Sequence, residues 1–249
     1  MQEKVGYYSS MESFGAVDGP GVRLVYFLQG CPLRCLYCHN PETQPVNKEK
    51  QISIAEILTK YENNKAFYEQ GGITISGGEP LMQIDFVIAL FKECKKRNIH
   101  TTVDTSVCTF SENPIILNKW KELVTVCDLF ICDLKEFDSQ KHKTLTGLGN
   151  ENIIAGIKWL DANGAKMWIR TVLVPGFTDH HDNLVQIGQF LKTLKNCEKF
   201  ELLPYHNMMI FKYKQLNLDF KLNGIEPPSK EYCKECLNII LSAKNSLSY

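Results

Sequence analysis

Three cysteines, Cys31, Cys35 and Cys38, fall within eight residues of the string GCPLRCLYCHN. Three thiolates leave a metal site incomplete, because a structural zinc ion takes four protein ligands and an ordinary iron–sulfur cluster takes four cysteines. This spacing therefore indicates a cubane cluster in which one iron has no protein ligand. An iron with an open position can hold a substrate.

The pair Cys35 and Cys38, taken alone, is also typical of one half of a zinc knuckle. Such a site needs a second C-x2-C pair or two histidines at a compatible distance. The other close pair in the sequence is Cys233 and Cys236, far along the chain in a strongly helical stretch. An auxiliary cluster at that pair is an alternative that would need further ligands nearby.

Composition and charge argue against two classes of partner. Lys plus Arg and Asp plus Glu are equal at 28 each, so no basic surface field favours nucleic acid. No apolar run approaches the roughly 18 residues of a membrane span, and MQEKVGYYSS lacks a signal-peptide core. The 249 residues, 44% of them hydrophobic, suffice for a single domain over 1–249. We therefore expect a monomeric, cytoplasmic enzyme that binds neither nucleic acid nor membrane.

The other cysteines are scattered, and several lie in apolar, strand-like strings. Free cysteine behaves as a small hydrophobic residue, and disulfides are rare in the cytoplasm. The thiols predicted to be buried are Cys94, Cys108, Cys127, Cys132 and Cys197.

The chain alternates short apolar runs with longer helical patterns, as parallel strands joined by covering helices do. Ser53 and Glu56 form a predicted capping box, and Asn163-Gly164 is a predicted helix stop. Right-handed crossovers between successive strands then favour a barrel-like sheet. The six predicted strands are 22–28, 73–76, 101–104, 129–133, 167–172 and 200–203. The predicted helices are 54–61, 84–97, 115–123, 153–162 and 183–194, with a last one just after Pro227-Pro228.

Polar motifs follow the carboxyl end of each predicted strand. In chain order they are GCPLRC, GGEP, DTS, DLK, VPG and LPYH. In barrels built from β/α units, the carboxyl ends of the strands form the face that carries the active site. The sequence therefore predicts one site assembled from six separate segments.

This ordered set of motifs resembles the radical S-adenosylmethionine (SAM) enzymes, and within them the pyruvate formate-lyase activating enzymes, over nearly the whole chain. The resemblance rests on C-x3-C-x2-C and GGEP, together with DGPGVR (18–23), YCHN (37–40), WIR (168–170) and LLPYH (202–206). It implies an α/β fold, a partial (β/α)6 TIM-like barrel. It also implies a [4Fe-4S] cluster held by Cys31, Cys35 and Cys38. This cluster with its three cysteines is the catalytic centre, and SAM binds at the open iron.

The resemblance also assigns roles to residues around the cluster. Asp104 and Asp133 would repel one another beside the SAM carboxylate unless a cation lay between them. The residues implied for that sodium or potassium ion are Asp104, Thr105, Asp133 and the carbonyl of Ile131. Those implied for SAM are Tyr37, Cys38, His39, Gly78, Glu79, Asp133, Leu134, Lys135, Arg170 and His206.

Asp18 is implied to contact the substrate peptide. It precedes the first predicted strand, so it lies at the opposite end of the barrel unless the chain folds back across the mouth. Simpler interpretations remain for the single motifs. GGEP and DGPG also occur as plain turns, Lys135 and Arg170 suit structural ion pairs, and His206 suits the edge of a core.

The implied reaction is reductive cleavage of SAM, followed by hydrogen abstraction from a glycine Cα in a partner enzyme, which leaves a glycyl radical. Relatives that serve other glycyl radical enzymes carry a cysteine-rich insert soon after the first motif. None of the fourteen residues between Cys38 and Ser53 is cysteine, which favours pyruvate formate-lyase as the partner. The resemblance also implies an electron donor such as flavodoxin.

Three alternatives stay open. They are a compact activase for another glycyl radical enzyme, a radical SAM enzyme acting on a small molecule, and an electron-transfer module without SAM chemistry. The family commonly has glycine where this chain has Val107, so we expect the backbone of the turn after Thr105 to differ.

Overall fold

The computed structural model describes residues 4–246, which form an open, eight-stranded sheet flanked by helices. The strands are β1 (Val5–Gly15), β2 (Arg23–Leu28), β3 (Gln51–Ser53), β4 (Gly72–Gly77), β5 (Thr101–Thr105), β6 (Leu129–Asp133), β7 (Met167–Leu173) and β8 (Cys197–Pro204). Their order is β3-β1-β2-β4-β5-β6-β7-β8. The run from β2 to β8 is parallel, whereas β1 pairs antiparallel with both β2 and β3.

Helices connect each parallel strand to the next. They are α1 (Ile54–Glu62), α2 (Ile84–Lys95), α3 (Pro114–Val126), α4 (Ser139–Thr146), α5 (Glu151–Ala162), α6 (His181–Thr193), α7 (Ile210–Gln215) and α8 (Lys230–Asn245). Within residues 4–246, no helix combines the length and the apolar character that crossing a bilayer requires.

The parallel strands curl around one cavity. Phe27 of β2 and Leu203 of β8 both line it, although β4 to β7 lie between these two strands. In the described residues β3 and β8, the outermost strands, do not pair with each other, so the curled sheet stays open. The predicted partial TIM-like barrel is confirmed.

The other face of the sheet packs against the helices and forms the main core. Leu24, Tyr26 and Leu28 of β2 point into this core, together with Ile73 and Ile75 of β4. A smaller apolar cluster lies beside the cysteine loop and includes Tyr37, Leu145, Val174, Tyr205, Met209, Tyr213, Phe220 and Leu222. The strands thus present apolar side chains outward and leave their opposite face for the site.

The six predicted strands and six predicted helices are present, with ends that shift by up to a few residues. The capping box is confirmed, because the Ser53 amide donates to the Glu56 carboxylate at 2.8 Å and the Glu56 amide donates to Ser53 Oγ at 3.2 Å. The sequence interpretation missed β1, β3, α4 and α7. Of these, α4 reads SQKHKTLT and has few apolar residues, so it lacks a clear helical pattern.

The prediction of buried thiols is confirmed in full for two of the five cysteines, and the other three pack against the main core but are only partly buried. Cys94 and Cys132 are buried, whereas Cys108, Cys127 and Cys197 are partly exposed. Cys127 caps the end of α3 and Cys197 begins the outer strand β8, where neighbours cover only one side. An apolar neighbourhood in the sequence therefore did not ensure burial at the ends of elements.

We predict that Gly188→Ala destabilises the protein. The intrinsic helix propensity alone would favour alanine over glycine by about 1 kcal/mol in a helix interior. A Cβ at this position of α6 would lie 2.3 Å from the Ile240 carbonyl oxygen of α8, which cannot rotate away. Overpacking of this kind costs about 1–3 kcal/mol. Urea denaturation measures the difference, with Gln189→Ala on the exposed face of α6 as the control. Equal stability of parent and Gly188→Ala would contradict this close packing.

Candidate active site

The cavity inside the curled sheet has a volume of about 470 Å³ and lies at the carboxyl ends of the parallel strands. The cysteine loop follows β2, Gly77 ends β4 and Gly78 follows it, and acidic residues lie at the carboxyl ends of β5 and β6. The sequence-predicted residues that line it are Asp18, Cys31, Cys35, Tyr37, Cys38, His39, Gly78, Asp104, Thr105, Asp133, Lys135, Arg170 and His206. Glu79, Ile131 and Leu134 do not line it.

Backbone hydrogen bonds hold the cysteine loop on both sides. The Cys31 amide donates to the Gln44 carbonyl at 3.1 Å, and the Arg34 and Leu36 amides donate to carbonyls at the end of α4. On the far side, Tyr213 of α7 donates its hydroxyl to the Cys38 carbonyl at 3.2 Å. The helices α4 and α7, which the sequence interpretation missed, therefore brace this loop.

The three thiols are partly accessible and meet at one cavity. Burial raises the pKa of Cys31 to about 11 and that of Cys35 to about 12, and it also raises the pKa of Cys38. Buried thiolates at these positions need a cationic centre to stabilise them. In the described part of the chain, no group of three or more His, Cys, Asp or Glu side chains is placed to hold a metal ion. Three thiols that line one cavity suit a cluster held by three cysteines.

Gly77 and Gly78 lie where a side chain would collide with neighbouring backbone. A Cβ on Gly77 would be 2.2 Å from the Leu28 amide nitrogen, and one on Gly78 would be 2.4 Å from the Gly30 carbonyl oxygen. The Glu79 amide also donates to the Gly30 carbonyl at 2.8 Å. The glycine loop is thus joined directly to the start of the cysteine loop.

The side chain of Glu79 is turned away from the cavity. Its carboxylate is fully buried and accepts hydrogen bonds from Thr105 Oγ1 at 2.6 Å and from the amides of Ser106 and Leu81 at 2.9 and 3.0 Å. Burial raises the pKa of Glu79, and these donors oppose the shift. Glu79 therefore connects the end of β4 to the turn after β5.

The turn after β5 has a left-handed residue that is not glycine. Val107 has φ of +62°, and its amide donates to Thr105 Oγ1 at 2.9 Å. A β-branched residue in this region costs about 1–3 kcal/mol. The side chain is fully buried against α5, which offsets the strain. Loss of glycine has therefore not removed the conformation that glycine favours at this turn.

Asp104 and Asp133 form an acidic pair in the cavity wall. Burial and the Asp133 carboxylate raise the pKa of Asp104 to about 7, while Arg170 opposes this shift. Lys135 Nζ lies 2.6 Å from Asp133 Oδ2. Burial disfavours the Lys135 charge, but Asp133 raises its pKa well above the usual value. Lys135 thus neutralises one carboxylate of the pair.

Beside the acidic pair, Arg170 of β7 contacts two other segments of the chain. Its Nε donates to Glu201 of β8 at 2.7 Å, and its guanidinium donates to the Val17 carbonyl. Thr74 of β4 donates to the Asp18 carbonyl at 2.7 Å. The segment that carries Asp18 therefore reaches the cavity from inside the curled sheet. It does not cross the mouth, as the sequence interpretation required.

An aromatic wall closes another side of the cavity. The rings of His39 and His206 lie 4.0 Å apart between centroids, and burial together with the His206 ring lowers the pKa of His39 to about 4. His39 Nε2, His206 Nδ1 and the Tyr37 hydroxyl are buried and have no hydrogen-bond partner among the described residues. These polar atoms are available to a ligand.

A family model described as the radical SAM superfamily matches residues 25–187. The pyruvate formate-lyase-activating enzyme of Streptococcus mutans is 45% identical over 233 residues, which cover 92% of this chain and 89% of the relative. That of Staphylococcus epidermidis is 41% identical, covering 94% and 95%. The chain belongs to the pyruvate formate-lyase-activating enzymes of the radical SAM superfamily. This family implies a [4Fe-4S] cluster and SAM.

Solved structures agree with this membership. A domain of a pyruvate-formate lyase-activating enzyme from Bacteroides vulgatus is 29% identical, with a TM-score of 0.57 over 70% of this chain and 94% of that one. SuiB of Streptococcus suis, in its complex with SAM, has a TM-score of 0.63 over 89% of this chain and 47% of that one. Its 17% identity supports the fold alone. The three thiols and the unpartnered polar atoms around the cavity fit the cluster and SAM that the family requires.

We predict that Ala at Cys31, Cys35 or Cys38 abolishes cluster assembly, because two thiolates are too few to hold the cubane. Iron and sulfide analysis after anaerobic reconstitution measures this. Cys233→Ala and Cys236→Ala are matched controls in α8, outside the cavity, and should retain the parent iron content. A loss of about half the iron in either control would reveal a second cluster and contradict the single-cluster assignment.

Proposed function

We propose that this chain activates pyruvate formate-lyase by forming a glycyl radical in that enzyme. The observation that carries the proposal is the convergence of three thiols, the glycine loop and the acidic pair on one cavity. Relatives of 45% and 41% identity that bear the activating-enzyme name support it. We place the protein in the cytoplasm as a monomer with flavodoxin as electron donor.

When bound, the reduced cluster and SAM supply one electron and a 5′-deoxyadenosyl group that removes a hydrogen atom from glycine Cα, giving methionine and 5′-deoxyadenosine. The chain holds and orients these groups. The backbone at Gly78 faces the cavity with no side chain in the way, so it can approach the amino group of SAM closely. Lys135 and Arg170 supply positive charge for the SAM carboxylate.

His39 and His206 provide a ring surface for the adenine or ribose. In this proposal the free nitrogen of each imidazole and the Tyr37 hydroxyl bind polar atoms of the nucleoside. A neutral His39 can accept as well as donate.

Glu79 supports the site without contacting SAM in this proposal. Its carboxylate holds Thr105 and Ser106, which follow Asp104 directly. The position of Asp104, one member of the acidic pair, therefore depends on a residue of the GGEP motif. This differs from the role in SAM binding that the sequence resemblance implied for the Glu79 side chain.

We further propose that a monovalent cation lies between Asp104 and Asp133, with Thr105, which also lines the cavity, as an additional ligand. The carbonyl of Ile131, which the resemblance also implied as a ligand, belongs to a residue that does not line the cavity. Two carboxylates and the SAM carboxylate would otherwise repel one another. Lys135 balances the Asp133 charge, and the Arg170 guanidinium balances a second of these three charges. A small cation completes the neutralisation.

We predict that SAM affinity falls about tenfold when sodium and potassium are replaced by tetramethylammonium, which is too large for the site. Asp104→Asn should bind SAM weakly in either buffer, because it removes one of the two carboxylates. Calorimetric titration of the reconstituted protein measures both effects. Asp85→Asn, at an exposed ion pair with Lys119, should behave as the parent. Equal SAM affinity with and without the alkali ion would contradict the proposed cation site.

The partner assignment is tested with anaerobic protein, a one-electron reductant, SAM and pyruvate formate-lyase from the same genome. We predict a glycyl radical doublet in the EPR spectrum. We also predict deuterium in 5′-deoxyadenosine when the partner carries deuterated glycine. A partner with alanine in place of the radical glycine is the control and should give neither signal.

Other outcomes identify the alternatives. Reductive cleavage of SAM without the doublet would retain the chemistry and discard this partner. Cleavage that depends on an added metabolite would indicate a small-molecule substrate.

A further inference from the structure

Arg23, the first residue of β2, is a fully buried cation at the amino-terminal end of the parallel strands. Its Nε donates to Thr74 Oγ1 at 2.5 Å, and its two terminal nitrogens donate to the carbonyls of Pro20 and Ile73 at 3.0 and 2.9 Å. A third carbonyl, that of His100, accepts at 3.2 Å, and His100 Nδ1 lies at the same distance. The guanidinium thus joins the segment before β2 to the starts of β4 and β5.

The partners of Arg23 are neutral groups. Among the described residues, no carboxylate forms an ion pair with it. A buried charge without a counter-ion is costly unless its hydrogen bonds are satisfied. Arg23 satisfies them with oxygens of the chain segments that it joins. Its position therefore fixes those segments relative to one another.

Thr74 connects the Arg23 guanidinium to the segment that carries Asp18. Its hydroxyl accepts from Arg23 Nε and donates to the Asp18 carbonyl at 2.7 Å. From the opposite side, Arg170 donates to the Val17 carbonyl. The backbone of Val17 and Asp18 is thus held between two buried arginines, with the Asp18 side chain at the cavity.

We propose that Arg23, acting through the Thr74 hydroxyl, is the positioning group that sets where Asp18 meets the partner's glycine segment. This inference rests on the proposed function, the formation of a radical at a glycine Cα of the partner, and adds that an extended backbone carrying this glycine enters the cavity. The Asp18 carboxylate accepts from amides of that backbone. A shift of the Asp18 backbone would misplace the glycine Cα relative to SAM, while the SAM site itself would be unchanged.

Thr74→Val tests the proposal, because valine has nearly the shape of threonine and lacks the hydroxyl. We expect kcat/KM for glycyl radical formation to fall about tenfold, the size of one lost hydrogen bond of about 1.4 kcal/mol. Partner-independent cleavage of SAM with a chemical reductant should equal that of the parent. Thr74→Ser retains the hydroxyl and should restore partner kinetics.

The matched control is Thr102→Val, one strand away. Thr102 Oγ1 is buried and has no hydrogen-bond partner among the described residues. Its removal should therefore leave both activities at the parent level. Thr74→Ala removes the same hydroxyl and leaves a smaller side chain. It should likewise lower kcat/KM for glycyl radical formation and leave partner-independent cleavage of SAM at the parent level.

A double-mutant cycle with Asp18→Ala decides whether Thr74 acts through Asp18. In the Asp18→Ala background, we expect Thr74→Val to cause no further loss of kcat/KM for the partner. A second tenfold loss in that background would overturn the proposal, as would equal loss of both activities in Thr74→Val. If Asp18→Ala alone leaves partner kinetics at the parent level, Asp18 does not meet the glycine segment and the proposal is overturned, whereas the proposed function stands as long as the glycyl radical forms.

Discussion

The site depends on the close approach of two backbones, those of the cysteine loop and the glycine loop. The Gly78 amide donates to the Leu28 carbonyl at 3.0 Å, and the Glu79 amide donates to the Gly30 carbonyl at 2.8 Å. Hydrogen bonding between β2 and β4 thus continues past the ends of both strands. A side chain at position 77 or 78 would separate these backbones. The cluster loop and the proposed SAM loop are therefore one connected unit.

The buried carboxylate of Glu79 links this unit to β5, the next strand of the parallel sheet. It accepts from Thr105 and Ser106, so the turn after β5 is fixed to the glycine loop. The same turn contains Val107 in a left-handed conformation, which burial against α5 stabilises. Asp104, which directly precedes Thr105, is thus placed by hydrogen bonds to the buried Glu79 carboxylate.

The parallel strands and their connecting helices could be predicted because their apolar periodicity is strong. The meeting of the motifs at one site could be predicted because each motif follows a strand. The helices that brace the cysteine loop could not, since α4 is mostly polar and α7 is short. Nor did the sequence indicate that Glu79 turns away from the cavity or that Asp18 enters from inside the sheet. Both depend on hydrogen bonds between segments far apart in the chain, such as that of Thr74 with Asp18.

The central claim is that three thiols leave one iron open and that SAM binds to it in this cavity. EPR spectroscopy of the reduced cluster, with and without SAM, tests this most directly. The account predicts that SAM shifts the g-values, and that SAM labelled with ¹⁵N at the amino group and ¹⁷O at the carboxylate shows hyperfine coupling to the cluster. A spectrum that SAM leaves unchanged would contradict the claim and would favour an electron-transfer centre.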